Sequence, residues 1–160
     1  MRLTLRLLIL LVLSVTTSSG QCAPEFQKLL VVRQLSVAQA TLETQLARDP
    51  RDDGALHCLA RVALERDDAD RAVDLLEKAA AKRPRSAEHH VWLGLALRLQ
   101  AARVGTLRAP SIISRMKTEL ETALALDSTQ ADAHYALLQF NAQVPESFGG
   151  GIGKGAGSEP

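Results

Sequence analysis

Between Asp53 and Ser86 the chain spells out a helix–turn–helix unit of 34 residues, and its spacing recurs on both sides. Leu56, Leu59, Ala60 and Ala63 share one face of a first predicted helix. In "ADRAVDLLEKAAAKRP" (Ala69 to Pro84), Ala72, Leu76, Ala79 and Ala80 share one face of a second, which Pro84 cannot continue. His90, Leu93, Gly94 and Leu97 stand 34 residues after the first set, while Ala38, Leu42 and Pro50 lie 34 residues before Ala72, Leu76 and Pro84. A helix pair of this kind cannot bury its apolar stripe alone, so the period dictates that successive pairs stack.

Small residues where helices cross, large ones where they interlock, and the closing proline together resemble the tetratricopeptide (TPR) pattern. The resemblance implies an all-α fold: a right-handed solenoid of antiparallel helix pairs, with about two full repeats and a half repeat at each end. Over residues from about Pro24 to Gly151, the stretches "LETALALDSTQADAHYALLQF" and "VPESFGGG" are similar to a group of exported bacterial TPR proteins in which a proline and a Gly-Gly pair precede a further helix. In this chain no further helix is predicted.

Taken in order, Pro24 to Arg48 reads as one long helix carrying Leu29, Leu30, Val37, Ala38, Leu42 and Leu46, whose second half supplies the missing partner of an incomplete first repeat. Asp52 or Asp53 caps the next helix, and Asp67-Asp68 turns the chain into its partner. The full repeats are read as 53–86 and 87–130. In the second, Met116, Leu120 and Ala123 follow their equivalents by 44 residues, so an insert occupies residues 101–110, "AARVGTLRAP". Its Gly105 and Pro110 predict a surface loop whose ends lengthen both helices. Thr129 and Asp132 read as a capping box for a half repeat at 131–143, followed by a glycine-rich tail, 144–160, predicted to be flexible.

The first twenty residues belong elsewhere. Arg2 and Arg6 precede an apolar run, Leu7 to Leu13, and a small polar end, the pattern of a secretory signal peptide cleaved after Gly20. The run falls short of the ~20 residues a membrane span needs. A lipid anchor on Cys22 ranks second, because Gln21 stands where a bacterial lipoprotein signal places a small residue. Removing Arg2 and Arg6 from 19 basic side chains leaves 17 against 18 acidic ones, a formal charge of −1 without the clustered positive patch that nucleic-acid binding requires. Export permits a disulfide between Cys22 and Cys58 without establishing one; Cys58 reads first as a small buried apolar residue.

No chemical constellation emerges. The tail departs from a P-loop, with Phe148 where a glycine is needed and Gly155 where Ser or Thr is needed. His57, His89, His90 and His134 match no common zinc spacing, and His90 and His134 read as partly buried packing residues. No cofactor, metal site or catalytic group is expected. In TPR arrays the first helix of each pair lines a concave groove, and the resemblance assigns His57, Arg61 and Leu64, then Glu88, Val91, Leu95 and Arg98, then Asp132, Tyr135 and Gln139 to that surface. The expectation is an exported, non-catalytic scaffold for a protein or peptide partner, without a Lys/Asn carboxylate clamp but with Arg61 and Arg98 available to acidic groups. The alternatives are a self-associating envelope subunit, joined through a final helix left uncovered at Ala136, Leu137 and Phe140, and a histidine-dependent metal enzyme.

Overall fold

A computed structural model describes residues 22–31, 34–105, 107–144 and 150–151. The signal-peptide reading of residues 1–20 and most of the tail lie outside them. Among the described residues all regular structure is helical: α1 (Pro24–Val31), α2 (Leu35–Arg48), α3 (Asp53–Glu65), α4 (Ala69–Lys82), α5 (Ala87–Ala101), α6 (Ala109–Leu126) and α7 (Ala131–Gln143). None is long and apolar enough to cross a membrane. Each packs on its chain neighbour, and α1 also touches α3 while α5 touches α7.

One junction is built three times. Where α2, α4 and α6 end, Asp49, Arg83 and Asp127 leave the helix at φ −132°, −132° and −150° and donate N–H groups to the carbonyls of Gln45, Ala79 and Ala123 at 2.9, 3.0 and 2.9 Å. Three residues on, the cap positions Asp52, Ser86 and Gln130 open α3, α5 and α7. Asp52 Oδ1 accepts the Ala55 N–H at 2.8 Å and Ser86 Oγ accepts that of His89 at 3.3 Å, which occupies donors the first turn leaves unpaired. Gln130 makes no such bond: Thr129 donates both its N–H and its hydroxyl to Asp127 Oδ1, so the expected Thr129 capping box is replaced by a turn closed on Asp127. Between α3 and α4, Asp67 takes φ 64°, a left-handed conformation an aspartate tolerates, and Asp68 caps α4 through the Arg71 N–H at 3.1 Å.

The core follows the repeat. Ala38, Ala72 and Met116 are buried at one equivalent position, and Leu42, Leu76 and Leu120 at the next. On the outer side Glu43 pairs with Arg71 at 2.7 Å and Glu77 with Arg115 at 2.6 Å, the same link between successive second helices. Gly94 of α5 meets α6 so closely that an added Cβ would lie 2.7 Å from Leu120 Cδ2 and 2.8 Å from its Cγ. That contact is why the position tolerates the ~1 kcal/mol propensity cost of glycine.

Several expectations are corrected. The helix read as continuous from Pro24 to Arg48 is two helices, with the Gln34 N–H bonded to the Leu29 carbonyl at 2.9 Å. The break lets α1 fold back on α3, where Cys22 and Cys58 form a disulfide and Phe26 and Leu30 are buried. Cys58 is therefore bonded as well as buried, and a Cys22 sulfur in this bond cannot carry a thioether lipid. Val37 is exposed, outside the stripe assigned to it. The insert forms a loop between α5 and α6, with Arg103 gripping both the carboxylate and the carbonyl of Asp67. Ala136 and Phe140 of α7 are buried, with the Lys117 ammonium 5.8 Å from the Phe140 ring centroid, so the last helix is not left uncovered there. In the tail, Gly151 donates to the Asn141 carbonyl at 3.0 Å and takes φ 107°, docking Gly150 and Gly151 onto the end of α7.

Candidate functional site

Side chains link α3 to α5 and α5 to α7. Arg61 lies over the ring of Trp92, with its guanidinium carbon 4.6 Å from the centroid. This is cation–π range and joins α3 to α5. Arg98 Nη1 approaches Gln139 Oε1 at 3.5 Å and joins α5 to α7. Leu64, Glu88 and Leu95 are partly exposed on the same helices, and Asp132 and Tyr135 are exposed on α7.

Two residues assigned to this surface are beneath it. His57 is fully buried and Val91 nearly so. The stripe on α5 runs through Glu88, Trp92, Leu95 and Arg98, because α5 is packed by α4 on one side and α6 on the other and only a narrow face remains open. Trp92 and His89 are the residues that the periodicity did not single out. Of the histidines read as packing residues, His90 is partly buried and His134 is exposed, donating from Nε2 to the Ser128 carbonyl at 2.9 Å.

Under the surface lies a buried polar chain. Asp53 Oδ1 accepts from Arg83 at 3.0 Å, and its Oδ2 lies 2.9 Å from His89 Nε2. His89 Nδ1 lies 3.2 Å from His57 Nδ1. A carboxylate paired with arginine accepts, so His89 donates from Nε2, which leaves its Nδ1 as the acceptor. His57 then donates from Nδ1, and its Nε2 is a bare lone pair. That atom is buried and makes no hydrogen bond, although Glu88 Oε1 stands 3.5 Å away. Burial, then the nearby His89 and Arg61, push the His57 pKa down to about 3. Burial likewise pushes Glu88 up, opposed by Arg61, and lowers His89 against the pull of Asp53. Trp92 closes the chain, edge-on to His57 at 5.8 Å.

His90 behaves in the opposite way. Its Nδ1 faces Glu119 Oε2 at 2.7 Å and its Nε2 faces the Pro84 carbonyl at 3.0 Å; both partners are acceptors, and Glu119 first of all raises its pKa. Among the described residues no group of three or more His, Cys, Asp or Glu side chains converges as metal ligands would. No family model and no curated protein matches the chain.

Proposed function

We propose that this chain is an exported, non-catalytic TPR-like module that holds a protein or peptide against the face formed by α3, α5 and α7. The solenoid reading is supported by the thrice-built junction and by the recurring glutamate–arginine pairs, which place successive helix pairs in equivalent settings. Export is supported by the Cys22–Cys58 disulfide, a bond that persists in oxidising compartments.

The observation that carries the binding reading is the continuity of the surface across three helices, from Arg61 over Trp92 to Arg98 beside Gln139. Arginine and large aromatics are the residues that concentrate energy at interfaces, and here they lie between partly exposed leucines. The test is photo-crosslinking from positions 98 and 135 in cells, compared with position 71 on the second-helix layer. A discrete adduct from 98 and 135, weakened by Arg61→Ala and absent from 71, supports the reading. Crosslinks confined to a second copy of the chain would favour the self-associating subunit, and equal labelling from all three positions would sink both.

A further inference from the structure

We propose that Glu88 and His57 form a one-proton latch beneath the α3–α5 face: the Glu88 carboxyl takes up a proton from solvent and, keeping it, donates an O–H hydrogen bond to neutral His57 Nε2, and release of that proton to solvent returns a carboxylate to the field of Arg61. The geometry leaves little choice. The bond order Arg83–Asp53–His89–His57 fixes both imidazole tautomers and ends in an acceptor with no donor. Its neighbour Glu88 is also an acceptor when ionised, so two lone pairs oppose each other at 3.5 Å. A buried acceptor without a donor is unfavourable, and one proton on Glu88 removes the conflict.

Glu88 is the member that exchanges with solvent, since its side chain is 25% exposed while that of His57 is fully enclosed. The charged groups around the pair are consistent with that assignment. On α3, Arg61 faces both, and Glu65 acts on Arg61. On α5, His89 faces His57 and is itself flanked by His90. Arg83, at the end of α4, pairs with Asp53 and also acts on His89, while Glu119, on α6, pairs with His90. Protonation of Glu88 leaves Arg61 without that counter-charge, so acidification makes the face more receptive to an acidic group. This consequence rests on the binding reading above; the latch itself does not.

The only tryptophan of the chain, Trp92, is a built-in reporter, in contact with both His57 and Arg61. Titration of the full-length mature protein without any ligand, from pH 8 to pH 4, should move Trp92 emission through a single one-proton step. Imidazole nitrogen-15 spectra should show His57 neutral throughout it. Glu88→Gln places a permanent N–H donor opposite His57 Nε2 and should abolish the step, with the helical circular dichroism unchanged. Glu119→Gln, which removes the partner of His90, should leave the step in place. The latch is overturned if wild type shows no step, if His57 itself charges during it, if the step survives Glu88→Gln, or if it vanishes in Glu119→Gln.

Discussion

Leu120 of α6 rests against the bare backbone of Gly94 in α5, with the position of a hypothetical Cβ only 2.7 Å from its Cδ2. Gly94→Ala gains about 1 kcal/mol of helix propensity but overpacks a buried leucine at a cost of about 1–3 kcal/mol. The expected net loss is about 1 kcal/mol in denaturant unfolding, and the loss should vanish when Leu120→Ala is already present. A purely additive double-mutant cycle would show that the two helices separate without strain.

The disulfide closes a loop between residues 36 apart in sequence. Loop-closure entropy for that length gives roughly 4 kcal/mol as a ceiling, and native disulfides of small domains typically contribute about 2–5 kcal/mol. Cys22→Ala/Cys58→Ala should lower stability within that range. Hydrogen exchange should rise first in α1, which is held besides by Phe26 and Leu30.

His57 makes the fold acid-sensitive. Between pH 6.5 and about 3 the unfolded chain binds a proton at this residue that the folded chain refuses, so stability falls as the pH drops. At pH 5 the difference amounts to about 2 kcal/mol. His57→Gln should lower stability at pH 7 yet flatten the decline between pH 7 and pH 5, as read from urea midpoints; an unchanged slope would assign the acid loss elsewhere.

His90 carries the reverse sign. Its raised pKa means that the folded state keeps a proton that the unfolded chain has already lost, so its contribution is complete below pH 6.5 and disappears as the pH rises through the folded value. Glu119→Gln should remove about 1 kcal/mol at pH 6 and much less at pH 9, where both forms are neutral. Equal losses at the two pH values would mean that the pair acts through packing alone.

Tyr135 is 63% exposed and Arg98 also faces solvent, so alanine at either should stay within about 0.5 kcal/mol of wild type. Leu93→Ala, in the core, should cost about 2–5 kcal/mol. Thermal unfolding of the three variants checks the phasing of the candidate face independently of any partner.

The repeat was legible because its signals are local to each helix pair: Leu42, Leu76 and Leu120 recur at the repeat spacing of 34 and then 44 residues, and Asp52, Asp68 and Ser86 are strong cap residues. The break before Leu35 was not, since no proline or glycine interrupts the stretch and its cause is tertiary, the docking of α1 on α3. His57 and Val91 were misplaced for a related reason. Periodicity marks the centre of a buried stripe, but how far the stripe extends depends on neighbouring helices, and on α5 these cover all but a narrow face. The partnership of His57 with His89, 32 residues later, falls outside the 34-residue register and left no trace in it.

Cys22 is the first residue of the described chain, two residues ahead of α1, and its sulfur is bonded to the middle of α3. Tension applied to the chain ahead of Cys22 therefore reaches α3 through a covalent link and bypasses α1, whose side-chain packing bears none of it. A protein tugged from that end would yield by peeling at its far end or by loosening α3 from α4, with α1 still attached as a slack loop.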